Sequence, residues 1–256
     1  MTHTMVSIIT PSYNCATYVS DCIKSILAQT YQNWELLFQD DCSTDNTKEI
    51  VEFYAATDSR IKYQCNDTNC GAAITRNNAL RRATGKWIAF LDSDDIWKPE
   101  KLEKQVDFML RNNYAFSYHA YTEITEQGDS TGVYVSGKRR VGKFDMFSCC
   151  WPGCLTVMYD REKIGLIQIN DVRKNNDTAM WLKIVRKSSC YLLPENLAYY
   201  RKRVGSITPP TIFERVMAHY PLFRYAEEMN PIFSFFWTIM NVFGNSYKKI
   251  MYVKKY

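Results

Sequence analysis

The stretch Trp87-Ile88-Ala89-Phe90-Leu91-Asp92-Ser93-Asp94-Asp95 sets an apolar run directly against three carboxylates, with only Ser93 between the first two. Such a run, short and free of glycine or proline, has the pattern of a strand buried on both faces; the strand is expected over Lys86 to Leu91. The carboxylates after it repel one another, so the chain must supply or recruit a counter-charge there.

Upstream, the same unit repeats. Val6-Ser7-Ile8-Ile9-Thr10 reads as a first strand, stopped by Pro11, and Val19, Cys22, Ile23, Ile26 and Leu27 follow at helical spacing. Trp34 to Phe38 predicts a second strand; the polar loop DDCSTDNT (residues 40–47) leads into the helix KEIVEFYAA (48–56). Arg60 to Gln64 reads as a third strand and residues 72–83 as a third helix. After the acidic run, Leu102, Val106, Met109 and Leu110 mark another helix. Strict alternation of strand and helix predicts an α/β sheet, parallel in its N-terminal half, with helices on both faces. Ligands of such sheets bind beyond the carboxyl ends of the strands. Pro11 to Asn14, Asp40-Asp41 and Asp92 to Asp95 all follow strands, so they are expected on one rim.

Beyond residue 113 the alternation loosens. Tyr114 to Thr125, Gly132 to Ser136 and Gly153 to Tyr159 read as strands of a mixed second half. Residues 176–187 read as a helix with Met180, Trp181, Ile184 and Val185 inward. From Pro209 onward the chain reads as helical and aromatic, and it ends in lysines.

Composition narrows the function classes. A chain of 256 residues, 46% hydrophobic and 23% charged, has an ordinary globular balance. Its nine cysteines lack zinc-site spacing and are read as reduced thiols. The net charge of +5 is spread over separate basic clusters without interleaved aromatics, which argues against a nucleic-acid partner. No apolar run reaches bilayer-spanning length and MTHTMVSIIT lacks a signal-peptide pattern, so a cytoplasmic protein is expected.

Carboxylates behind a strand suit a hard divalent cation, and Mg²⁺ commonly takes one or two of them plus substrate phosphates. The competing reading is that Ser93, Asp94 or Asp95 caps the helix beginning near Pro99. Asp40-Asp41 on the same expected rim favours the metal–nucleotide reading.

Taken in order, VSIITPSYN, SILAQTYQNWELL, DDCSTDNT, NCGAAITRNNALRRATGKWIAFLDSDD, NNDTAMWLKI and YYRKRVGSIT resemble the family 2 glycosyltransferases of the GT-A fold, over about residues 5–208. Residues 209–256 would then be a helical extension. The resemblance implies an inverting, metal-dependent transfer of one sugar from a nucleotide-sugar, usually a UDP-sugar, to a glycan or lipid-linked acceptor in bacterial surface-polysaccharide synthesis. It places Pro11, Tyr13 and Asn14 around the base and Asp40 and Asp41 at the uracil edge. Arg76 and Asn77 would line the nucleotide pocket, Asp92 and Ser93 would lie near the ribose, and Asp94 and Asp95 at Mg²⁺ or Mn²⁺ bridging the diphosphate. Arg201 and Arg203 would close over the diphosphate, and Asp177 would be the catalytic base. Met180 and Trp181, three and four residues after Asp177, support a base held against apolar groups; its competing reading is a helix cap.

The chain departs from the family pattern at Arg203, where histidine is usual, at Cys42, commonly glycine, and at Asn176, often acidic. The Gln-x-x-Arg-Trp motif of processive synthases is absent, which implies single-sugar transfer. Trp151 is a candidate acceptor platform, with core packing as its alternative. The tail, with six Lys/Arg against three Glu over 210–256, is expected to pack on the catalytic part or form a homodimer. A peripheral contact with the inner membrane face is the other reading. Two rival functions remain: a non-catalytic nucleotide-sugar-binding partner of another transferase, and a sugar nucleotidyltransferase. The second wants a glycine-rich basic loop that TPSYNCATY does not supply.

Overall fold

A computed structural model describes residues 4–170, 172, 174–203 and 212–256, with the side chains of 212, 213 and 215 excepted. The Val204–Thr208 end of YYRKRVGSIT, and with it the expected boundary at 208/209, lies outside the described residues.

The N-terminal half follows the predicted alternation: β1 Val6–Ser12, α1 Val19–Leu27, β2 Trp34–Asp40, α2 Thr47–Thr57, β3 Ile61–Cys65, α3 Ala72–Arg82 and β4 Trp87–Phe90. The strands lie parallel in the order β3-β2-β1-β4. Ser12 stands opposite Asp40, and Ile9 opposite Phe90, so the chain leaves all three central strands at one rim. Both faces are covered. Ile8, Leu36, Phe38 and Ala89 face Val19, Ile23 and Val106, whereas Ile9, Leu37, Ile88 and Phe90 face the opposite core. Each fully buried Ile, Leu, Val or Phe among these contributes about 1.5–3 kcal/mol.

The second half comprises β5 Ile96–Trp97, α4 Lys101–Arg111, β6 Phe116–Ile124, β7 Ser130–Val135, β8 Arg140–Val141, α5 Lys143–Ser148, β9 Met158–Asp160, α6 Arg161–Ile164, α7 Asn176–Val185 and β10 Cys190–Arg201. Strand β9 joins β4 antiparallel and passes the sheet on to β6. The beginning of β6 pairs with β9 and its end with β7, while β10 runs parallel along its other edge. The sheet is therefore mixed beyond β4.

Two expectations are corrected. The strand predicted from Gly153 begins only at Met158, because Cys154–Thr156 form a 3-10 turn closed by Thr156 N–H and hydroxyl donating to the Gly153 carbonyl. The tail is not helical to its end. After α8 Ile212–Pro221, a π-helical turn at Leu222–Ala226 and α9 Pro231–Tyr252, β11 Val253–Lys255 pairs antiparallel with β7.

Candidate active site

Beyond β1 and β2 the loops are stitched together. Asn14 N–H donates to Ser43 Oγ (2.9 Å), and Thr44 N–H donates to Asn14 Oδ1 (2.8 Å). Pro11 is partly buried and Tyr13 stands out, 51% exposed, which leaves its ring free to stack. Asp40 is buried; one oxygen accepts from Ser43 and the other from Tyr63 Oη (2.9 Å). Asp41 accepts from the N–H groups of Cys70 and Gly71 and from Asn66 Nδ2, each at 2.8 Å. Burial alone would raise the Asp41 pKa; these donors outweigh it and hold the carboxyl below its usual range. Both carboxylates thus shape the loops of the expected base pocket and, in this structure, spend their oxygens on protein donors.

Beyond β4 the three aspartates each meet an arginine. Asp92 takes Arg76 Nη2 at 2.8 Å, Asp94 Oδ2 takes Arg203 Nε at 2.8 Å, and Asp95 Oδ1 takes the Arg201 backbone N–H at 2.9 Å. The β5–β10 register, Ile96 opposite Tyr199, carries Arg201 over the acidic turn. Asp95 is fully buried and, among the described residues, its Oδ2 has no hydrogen-bond partner. Burial, then Asp94 and Asp92, push its carboxyl well up; burial and Asp92 also raise Asp94 against the pull of Arg203. Ser93 is buried between them. None of the four caps α4: that helix starts at Lys101 behind Glu100, with no side-chain cap.

Across the rim, Trp181 packs edge-on to Phe90 at 5.1 Å and fixes α7 on the sheet. Asp177 is the second residue of α7 rather than its cap, and accepts Thr178 N–H at 2.7 Å. Burial raises its pKa, and the nearby Arg76 guanidinium works against that rise. Arg76 also donates from Nη1 to Asn176 Oδ1, so one buried guanidinium ties the acidic turn to the start of α7. A helical arginine in TRNNAL gave no hint of this bridge; its distance in sequence from Asn176 hides it.

Three expected roles do not match the geometry. Asn77 is buried and spends both ends of its amide on the Ile169 backbone (2.8 and 2.7 Å), bracing the segment before α7. Arg201 is 3% exposed, and its guanidinium donates to the carbonyls of Asp94 and Glu126 and to Asp21, so it clamps the turn and cannot close over a diphosphate. Trp151 is 4% exposed, lies edge-on to Tyr252 and donates to the Asp145 carbonyl, which leaves no open face for a sugar.

The family model described as glycosyl transferase family 2 matches residues 7–182. The putative teichuronic acid biosynthesis glycosyltransferase TuaG of Bacillus subtilis is 42% identical over 80% of this chain and 81% of its own. The chain belongs to glycosyl transferase family 2. The UDP-Glc:alpha-D-GlcNAc-diphosphoundecaprenol beta-1,3-glucosyltransferase WfgD of Escherichia coli is 44% identical over 72% of this chain and 71% of its own. The fold is that of Staphylococcus aureus TarS 1–349 in complex with UDP-GlcNAc: TM-score 0.71 at 21% identity, over 90% of this chain and 69% of that one.

The acidic turn of this glycosyltransferase fits a divalent cation. Its donors are all carboxylate oxygens, Asp95 Oδ2 is an orphan, and Asp94 is held by an arginine that is itself 42% exposed. Among the described residues no group of three His, Cys, Asp or Glu side chains is arranged to hold a metal by itself.

Cys42 has φ +64°, in the left-handed region that glycine enters without cost, which accounts physically for the glycine common there in the family. Cys42→Gly is expected to raise stability by about 0.5–1 kcal/mol despite losing the thiol's contact with the Asn66 carbonyl. Chemical denaturation of the two proteins measures it.

Proposed function

We propose that this glycosyltransferase moves a single sugar, with inversion, from a UDP-sugar to a lipid-diphosphate-linked glycan of bacterial surface polysaccharide. The observation that carries the reading is the pairing of an acidic turn with a raised-pKa carboxylate, Asp177, through Arg76. TuaG is named for teichuronic acid biosynthesis, and WfgD for a UDP-glucose donor and a GlcNAc-diphosphoundecaprenol acceptor, which supports the choice of substrates.

Asp177 takes the proton of the acceptor hydroxyl as its oxygen attacks the anomeric carbon, and the bond from that carbon to the diphosphate oxygen breaks with the electron pair leaving on UDP. Attack opposite the leaving group inverts the anomeric centre. Asp94 and Asp95 would hold Mg²⁺ or Mn²⁺, which neutralises the diphosphate charge when bound. Arg203, beside Asp94 and 42% exposed, would meet a phosphate oxygen of the donor with its planar fork. It would do so in place of the usual histidine. Tyr13 and the loops braced by Asn14, Asp40 and Asp41 would take the base.

Incubation with a panel of nucleotide-sugars, Mn²⁺ and a GlcNAc-diphosphate-lipid acceptor tests the reading. One UDP-sugar giving a product extended by a single inverted residue supports it. Binding of a UDP-sugar without turnover on any acceptor or in hydrolysis would favour a non-catalytic partner.

A further inference from the structure

Helix α9 is amphipathic the wrong way round for a helix packed on a water-soluble body. Ser234, Thr238, Asn241 and Asn245 follow one another on its inner face; the first three are fully buried. Asn241 Nδ2 donates to the Phe147 carbonyl at 3.1 Å, and Gly244 lies so close to Ser148 that an added Cβ would sit 1.9 Å from its carbonyl oxygen. The opposite face carries Ile232, Phe236, Phe243, Tyr247 and Ile250, between 49% and 81% exposed. Offsets of 4, 7, 4 and 3 keep these five on one stripe. Phe144 of α5, 64% exposed and edge-on to Trp237, widens it. A soluble monomer has little reason to bury the polar stripe and expose the aromatic one.

From the structure we infer that this face is a membrane-docking surface for anionic lipid. Two features select lipid over a second copy of the chain. Pro231 to Tyr256 contains four lysines and no acidic residue, and Lys249, Lys254 and Lys255 are exposed at the end of the stripe, as attraction to acidic headgroups requires. A self-complementary dimer through this face would offer those lysines no acidic partner from this segment. Among the described residues no helix is long and apolar enough to cross a membrane, so the helix would lie in the interface plane.

The surface is coupled to the site. Lys248 turns inward and donates to the carbonyls of Cys150 and Trp151 (3.0 and 2.7 Å), and Cys150 Sγ accepts from Thr178, the neighbour of Asp177. Docking by α9 would therefore hold the candidate base at a fixed place above the headgroups. The inference stands on the helix itself and needs no particular acceptor.

Sedimentation of the full chain with phosphatidylcholine vesicles, with and without about 30% anionic phosphatidylglycerol, tests it. Wild type is expected to bind the anionic vesicles and to release with salt. Phe236→Ser/Phe243→Ser/Ile250→Ser should weaken binding about a hundredfold, and Lys249→Gln/Lys254→Gln/Lys255→Gln roughly a hundredfold at low salt. Both variants alter exposed groups, so unchanged thermal melting and UDP-sugar binding show that the fold and the donor site persist. No sedimentation with either vesicle overturns the inference; if the chain is then a dimer that the serine variant dissociates, a second copy covers the face. Equal binding to both vesicles overturns the role of the lysines.

Discussion

Asp177→Asn is expected to lower kcat by about 1,000-fold while leaving UDP-sugar affinity unchanged, because general-base catalysis supplies roughly 10²–10⁴. The amide keeps the size and the acceptor oxygen that meets Thr178 N–H at 2.7 Å, but it takes no proton. In wild type, burial raises the Asp177 pKa, so turnover should climb with pH through that raised value and then level off. Stability moves the other way. A carboxyl whose folded pKa lies above its unfolded value binds more protons when folded, so this group's contribution falls as pH rises from the unfolded to the folded pKa. At neutral pH the charged form is the penalised one, and Asp177→Asn should melt no lower than wild type. Steady-state kinetics, donor titration and a melting curve on one preparation separate these effects. A loss of activity that tracks a loss of folding would remove Asp177 from the mechanism.

Arg76→Met is expected to cost about 2–3 kcal/mol of stability. Breaking a buried ion pair costs about 3–5 kcal/mol, reduced here because the Asp92 side chain is a third exposed and partly screened by solvent. Methionine fills much of the space but leaves Asp92 without its guanidinium and Asn176 Oδ1 without its donor. For a chain of this size that loss lowers Tm by about 5–10 °C. Arg76→Lys should rescue little, since one ammonium cannot reach Asp92 and Asn176 in the same fork geometry. Because the bridge aligns the acidic turn with α7, activity should fall further than the folded fraction accounts for. Urea denaturation and single-turnover transfer measure the two losses.

Much of the fold was legible because the central strands are buried on both faces, so β1, β2 and β4 read as apolar runs between helices of clear period. The motif order carried the family. What was not legible depends on contacts between segments far apart in sequence. Gly153 to Tyr159 looks like a strand, yet the Gly153 carbonyl captures Thr156 and turns the chain. Arg201 sits in a basic triplet that the family resemblance sets over the diphosphate, and only the β5–β10 register buries it under Asp94 and Asp95. Trp151 resembles a sugar platform until β11 closes the sheet and brings Tyr252 against it. The inverted face of α9 was hidden for a different reason: an aromatic helix signals burial in sequence, whereas here the small polar residues are the ones buried.

The central claim is that the carboxylates beyond β4 hold a cation which in turn holds the donor. Isothermal titration of the UDP-sugar into wild type and Asp94→Ala, each with and without Mn²⁺, tests it most directly. The account predicts binding to wild type only with Mn²⁺, and loss of that binding in Asp94→Ala, where Arg203 loses its carboxylate as well. Equal affinity with and without Mn²⁺, unaltered by Asp94→Ala, would contradict it and leave the acidic turn as a set of arginine partners only.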